Sequence, residues 1–251
     1  MNNAFRTPSL ALLAGLALAG CSVYAPLQPT VSGIREAHEI EASAGLQANG
    51  RLDASIVAAP VPHLLLAAAG CYRPRLGGDT YFGTRQWEAA AGTYLPLGPK
   101  CVLSGLLGYG YAGSERKSLE LLGGTTDDLR TRYGKAYGQL NAHWDGRFGL
   151  VYRAVRLNFD ELTYDNSYTL RQVPLASQWR HELLLYSVPG GWRGPTGARW
   201  RWQTRTSLGL SVPGQRPNEE AYDKDFYYTR MFFPTFLASV GLTFARRPAA
   251  R

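Results

Sequence analysis

Apolar and polar residues alternate one by one along most of the chain, which is the spacing of a β-strand with two different faces. In residues 199–210 the even positions are Trp, Trp, Thr, Thr, Leu and Leu, and the odd positions are Arg, Arg, Gln, Arg, Ser and Gly. The same alternation recurs in residues 38–46, 86–95, 135–144 and 236–244. The pattern therefore predicts an all-β protein.

Ten candidate strands follow from this pattern and from the turn residues between them. They lie near residues 36–46, 50–59, 63–73, 84–95, 101–112, 134–144, 148–160, 178–188, 199–211 and 235–245. Each has 10–13 residues, close to the ~9–11 that a tilted strand needs to cross a bilayer and longer than the usual ~5–6.

The connections alternate between short and long, as they do in outer-membrane barrels. Short turns are predicted at 60–62, 96–100, 145–147 and 189–198, and long polar loops at 74–83, 113–133, 161–177 and 212–234. Loop 113–133 has 21 residues without a strand pattern, and it is predicted to form a short helical turn or to extend a hairpin. Because loops carry function on barrels, it is the best candidate for contact with an external partner.

Alternation by itself also fits a soluble sandwich, so other observations are needed. Aromatic residues such as Trp87, Trp144 and Trp200 stand toward strand ends, as an interfacial girdle requires. The opposite faces carry charged residues that need partners. A sheet in lipid must close so that every backbone group is paired. We therefore predict a single antiparallel up-and-down transmembrane β-barrel of about ten strands over residues 36–245.

The N-terminus reads as a lipoprotein signal peptide. Residues 9–20 form an apolar run too short to span a bilayer, and it ends in Leu18-Ala19-Gly20-Cys21. This LAGC sequence is a lipobox, so we expect residues 1–20 to be removed and Cys21 to carry the lipid. Residues 21–35 are then a lipid-anchored periplasmic tether, and residues 246–251 a short basic tail. An even strand number returns both termini to the periplasmic side.

The net charge of the chain limits the classes of molecule that it is expected to bind. Loss of residues 1–20 removes one of 27 basic residues and none of the 19 acidic ones, leaving a net charge of +7. The basic residues are scattered and mostly arginines, and the chain is predicted to be exported, which argues against nucleic acid and favours phosphates of outer-membrane lipids or lipopolysaccharide. Cys71 and Cys101 fall near opposite strand ends and are expected to be free thiols.

Polar residues on the predicted inner faces form a candidate lumen network of paired charges and hydrogen bonds. Its members are Glu39, Glu41, Glu88, Gln139, Glu182, Arg201, Gln203 and Arg205. Arg153 is ambiguous, because strict alternation groups it with Val151, Val155 and Leu157. A β-bulge would resolve this.

No catalytic or metal motif accompanies this network. The four histidines show neither an HxH nor an HExxH spacing, so no metal and no cofactor is expected. The nearest approach to a hydrolase site is His181 with Ser177 or Ser187, a spacing that carries little information.

The whole mature chain resembles the barrel-type outer-membrane lipoproteins of Bacteroidetes-like bacteria. The resemblance rests on the lipobox followed by CSVYAP, on QWEAAAGTY, KAYGQLNAHW, VRLNFDEL, RHELLLYS and WQTRTSLGLSVPG, and on SVGLTF. The last of these is similar to the aromatic-ended strand that the barrel assembly machinery recognises, although ARRPAAR follows Phe244. The resemblance implies a bacterial outer-membrane location and transfers no activity.

The preferred interpretation is a non-enzymatic outer-membrane lipoprotein with a narrow, charged lumen and a structural or surface-recognition role. Three alternatives remain: a small pore or transporter for hydrophilic solutes, a lipid-modifying hydrolase, and a soluble lipocalin-like carrier. A carrier requires an apolar interior and a wet exterior, so the orientation of strand 199–210 separates it from the others. Crowding of the lumen predicts little or no conductance.

Overall fold

The structure, a computed structural model, describes residues 24–75, 80–119, 126–144, 147–166, 169–172, 177–188, 193, 200–214 and 234–246. The predicted signal peptide, Cys21 and the tail beyond Arg246 lie outside the described residues. The strands are β1 Ile40–Gln47, β2 Leu52–Ala58, β3 Leu65–Arg73, β4 Tyr81–Leu97, β5 Cys101–Leu119, β6 Thr126–Trp144, β7 Phe148–Asn166, β8 Thr169–Gln172, β9 Ser177–Ser187, β10 Trp200–Pro213 and β11 Thr235–Arg246.

Ten of these strands form one closed antiparallel barrel, which confirms the predicted fold class. Each strand from β1 to β7 pairs with the next, β9 joins β7 to β10, and β11 joins β10 back to β1. The closing pair runs from Ile40 opposite Arg246 to Gln47 opposite Ser239. Strand β8 pairs only with the last residues of β7, beyond the stretch that pairs with β9.

The two rims of the barrel differ strongly. One rim, here the short-turn end, carries the tight connections and the start of β1. At the other rim, the long-hairpin end, strands β4–β7 extend far beyond the neighbouring strands. They have 17–19 residues each, whereas β1–β3 have 7–9.

Much of the predicted loop 113–133 is strand, because β5 continues to Leu119 and β6 begins at Thr126. The extended-hairpin prediction is confirmed over these strands, whereas Leu121 and Leu122, where the helical turn is predicted, lie outside the described residues. Polar residues on both faces hide the alternation, and opposite charges face each other across the strands, Glu115 opposite Arg130 and Lys117 opposite Asp128. The predicted loop 161–177 likewise contains the end of β7 and all of β8.

The predicted faces are those observed. On β10, Gln203, Arg205 and Ser207 are buried, whereas Trp200 and Leu208 are exposed. Arg153 is also buried, at 1% exposure, and no bulge occurs beside it. The register shift in β7 lies further along, opposite Arg132 and Tyr133.

The N-terminal segment, residues 24–35, departs from the prediction of a periplasmic tether. Followed from residue 35 back to residue 24, it enters the barrel at the short-turn end and runs through the interior toward the long-hairpin end. The side chains of Tyr24, Leu27 and Ile34 are each 1–2% exposed. At the short-turn end, the Arg35 guanidinium donates to the Gly98 carbonyl over 3.0 Å. At the other end of the segment, the Tyr24 ring lies 5.9 Å from the ring of Tyr133 on β6.

Candidate functional site

The lumen is the candidate site, and the N-terminal segment occupies it as an extended chain without strand or helix. Its carbonyl groups are bound by side chains of the barrel wall. Gln139 donates to the Thr30 carbonyl over 2.6 Å, and Arg153 donates to the Leu27 carbonyl over 3.5 Å. Gln86 donates to the Ala25 carbonyl and Arg51 to the Pro26 carbonyl.

Acidic groups at the short-turn end bind the backbone N–H groups of the same segment. The Gly33 N–H donates to Glu41 over 2.9 Å, and the Arg35 N–H donates to Glu39 over 2.6 Å. Pro26 and Pro29 have no N–H to satisfy. A buried irregular chain needs a partner for each backbone polar group, and these contacts supply many of them.

Apolar contacts fix the segment as well. Each of the four apolar clusters of the interior contains one of its side chains, namely Tyr24, Leu27, Val31 and Ile34. Because burial of a large apolar side chain contributes about 1.5–3 kcal/mol, these four residues alone stabilise the seated segment substantially.

A compact charge cluster crosses the lumen beside the segment. Glu88 on β4 lies 2.7 Å from the Lys135 ammonium and 2.8 Å from the Arg153 guanidinium. Arg153 also lies 3.6 Å from Glu182 and stacks over the Tyr137 ring at 3.9 Å. Two anions and two cations thus neutralise each other in a dry interior.

The N-terminal segment joins this cluster through its first described side chain. The Tyr24 hydroxyl donates to Glu182 over 2.5 Å, and Arg180 stacks over the Tyr24 ring at 4.5 Å. Arg180 in turn donates to the Ser211 hydroxyl and carbonyl over 3.0 and 3.1 Å.

The predicted lumen residues mostly lie where the sequence puts them, but their partners differ. Seven are buried and Arg201 is half-buried on the same face of β10. Glu39 and Glu41 bind backbone N–H groups of the segment, and Arg205 donates to the Ser43 hydroxyl over 3.3 Å. Glu88 and Glu182 form ion pairs with Arg153, whose face the sequence left open, and Glu88 also pairs with Lys135, which the predicted network did not include.

Four buried charged residues escaped the sequence reasoning: Arg51, Asp53, Lys135 and Arg180. For two of them the sequence contained a usable signal. Lys135 shares a strand face with Gln139, and Arg180 shares one with Glu182, so the alternation of strand faces alone would have placed both among the predicted lumen residues. The side chains of Arg51 and Asp53 lie 3.1 Å apart where β2 begins, in a strand whose sequence LDASIVA is too apolar to assign a face to each residue.

The exterior of the barrel is a broad apolar belt. Leu107, Leu140 and Leu208 are 75, 65 and 61% exposed. From β1 to β11, charged side chains within the described strands point inward or lie at the rims, apart from Arg156, which stacks on Trp179 at 6.0 Å.

Aromatic rows bound this belt over β4–β7. Near the short-turn end, Trp144 pairs with Phe148, and their rings stack 5.6 Å apart. Ten residues further along β6, Gly134 is in register with Tyr111 and, across β5, with Trp87. Ten residues rise about 34 Å along a strand. A tilt of about 35–45° reduces this to roughly 24–28 Å, the height of the apolar band on membrane barrels.

The candidate hydrolase residues do not come together. His181 lies on the outer face of β9 and bonds the Tyr152 hydroxyl over 2.8 Å. Ser177 and Ser187 are four and six residues away on the same strand, which separates them from it by at least about 13 Å. Cys71 and Cys101 are free thiols, as predicted.

The described residues contain neither a cluster of metal-ligating side chains nor a membrane-spanning helix. No group of three His, Cys, Asp or Glu residues there could hold a metal ion. No helix there is long and apolar enough to cross a membrane.

Neither the models of known protein families nor the curated protein sequences contain a match to this chain.

Proposed function

We propose that the chain is an outer-membrane β-barrel lipoprotein whose lumen is closed by its own N-terminal segment. The barrel does no chemistry and conducts no solute. Its role is structural or one of surface recognition at the long-hairpin end. The observation that carries this proposal is the pairing of an apolar exterior with a charged interior that the chain itself fills.

The exterior supports a membrane rather than an aqueous setting. Soluble monomers rarely expose apolar patches larger than a few hundred Å², whereas here most outward positions of ten strands are apolar. A lipocalin-like carrier is disfavoured for the converse reason, because its interior would be apolar and empty. The interior of this barrel instead holds the charged residues Glu88, Lys135, Arg153 and Glu182, and the N-terminal segment runs through it.

The interior also argues against a pore. A water-filled channel needs continuous free volume, but the N-terminal segment occupies the lumen from Arg35 at one rim to Tyr24 beside Tyr133. Its removal would leave the donors of Gln86, Gln139 and Arg51 without their present acceptors, which opposes spontaneous opening.

Two measurements test the proposal. Purified protein in planar bilayers should show no steady conductance. Stable conductance comparable to that of general porins would promote the pore alternative. In cells, palmitate should label the wild-type chain and not Cys21→Ala, and labelling that persists in this variant would refute lipidation at Cys21.

A further inference from the structure

A basic cleft of about 520 Å³ opens on the outer face of β4–β7, at the long-hairpin end. Its charged lining comprises five arginines and two glutamates: Arg73, Arg75, Arg85, Arg130, Arg132, Glu115 and Glu161. The cleft therefore carries three more positive than negative charges.

Three of the five arginines are in ion pairs. Glu115 is paired with Arg75, Glu161 lies 3.4 Å from Arg132, and Asp128, at the edge of the cleft, lies 3.1 Å from Arg130. Arg85 is exposed and has no hydrogen bond or ion pair with any residue that the structure describes. Since guanidinium groups bind phosphate by two parallel hydrogen bonds, the unpaired charge favours a phosphate group.

The height of the cleft is that of lipid head groups. Arg85 is two residues beyond Trp87, and Arg132 is two residues beyond Gly134, which marks the same aromatic row. Two residues of a tilted strand correspond to about 5 Å along the membrane normal. The arginines thus lie just above the aromatic boundary of the apolar belt.

An apolar groove of about 570 Å³ lies below the cleft on the same four strands. Small residues form its floor, including Ala91, Gly138 and Ala154, and Leu107 and Leu140 line it. Gly138 is six residues below Arg132 along β6, or roughly 15 Å along the membrane normal. This is half the thickness of a ~30 Å hydrocarbon core, so one lipid molecule spans both features.

We propose that this face is a binding site for a phosphate-bearing lipid, with its phosphate between Arg85 and Arg132 and an acyl chain in the groove over Gly138. The inference rests on the proposed membrane location, because only a barrel surrounded by lipid presents this face to such a molecule.

The test uses the full-length protein in phosphatidylcholine nanodiscs, with lipid A as the probe, lipid A stripped of its phosphates as the head-group control, and inorganic phosphate as a competitor. The Arg85→Gln/Arg132→Gln variant removes two charges from the cleft, and the Arg246→Gln variant, a control for charge removal elsewhere on the barrel, removes one at the opposite rim. Gly138→Leu fills the groove and leaves the cleft intact.

Lipid A should bind the wild type, and its dissociation constant should rise about tenfold or more in the double arginine variant, as for the loss of charge-assisted hydrogen bonds. Arg246→Gln should bind like the wild type, Gly138→Leu should bind more weakly, and inorganic phosphate should not compete. No binding by the wild type, equal binding by the double variant, or effective competition by inorganic phosphate would each overturn the lipid site. Failure of the wild type to enter nanodiscs would instead refute the membrane location itself.

Discussion

Replacing Glu88 with glutamine should destabilise the barrel strongly, because it breaks a buried charge cluster on one side only. The Glu88, Lys135 and Arg153 side chains are each 1–2% exposed. The cluster with Glu182 is neutral in the wild type and carries one excess positive charge in Glu88→Gln. Removing one partner of a buried ion pair costs about 3–5 kcal/mol, since it leaves an uncompensated charge out of water.

Charge balance can be restored without Glu88. In Glu88→Gln/Lys135→Met, Arg153 and Glu182 remain as one cation and one anion, 3.6 Å apart. We expect this double variant to recover at least half of the lost stability, because no unpaired charge remains in the cluster.

The assay is guanidinium unfolding of vesicle-inserted protein, followed by tryptophan fluorescence. Glu161→Gln is the matched control, because it removes the same charge from a solvent-accessible ion pair. In that pair the Arg132 side chain is 60% exposed and the Glu161 side chain 35%. That control should cost less than about 1 kcal/mol. Equal losses for Glu88→Gln and Glu161→Gln, or a double variant less stable than Glu88→Gln, would refute a dry, charge-balanced lumen.

Two further predictions concern the barrel wall. Leu107→Arg, in the middle of the belt, should lower the free energy of unfolding in vesicles by about 2–4 kcal/mol, and Leu97→Arg, at the aromatic boundary, by only about 0–1 kcal/mol. Similar small losses for both variants would indicate that the exterior faces water. Gly110→Ala should destabilise by about 1–3 kcal/mol, because its Cβ would lie 2.3 Å from the Trp87 carbonyl oxygen. Gly138→Ala should be tolerated, since its Cβ meets nothing nearer than 3.6 Å, and the reverse order of these two stabilities would contradict the strand packing.

The two-residue period of apolar and polar positions is enough to predict the fold, because each barrel strand has an apolar outer face and a polar inner face. The inward positions of Glu88, Gln139 and Glu182 follow from that period alone. The ambiguity at Arg153 has a physical cause. Its neighbours Val151 and Val155 are apolar not because they face outward, but because they pack on buried residues of the interior.

The N-terminal segment could not be predicted in the same way. It has no periodicity, and its prolines are typical of an exposed linker. Its seat in the lumen depends on partners that are far apart in sequence, such as Gln139 for Thr30 and Glu182 for Tyr24. The pairing of charges across the lumen is hidden for the same reason, since period two assigns a face and not a neighbour.

The central claim, that the chain fills its own barrel, can be tested with one engineered thiol. Leu27 of the N-terminal segment packs against Cys71 on β3. In a chain carrying Cys21→Ser and Cys101→Ser, Leu27→Cys should form a disulfide with Cys71 under mild oxidation after folding, whereas Leu107→Cys, on the outer face, should not. Absence of the 27–71 disulfide, with residue 27 reacting with a bulky water-soluble maleimide as fast as in the unfolded chain, would contradict the account.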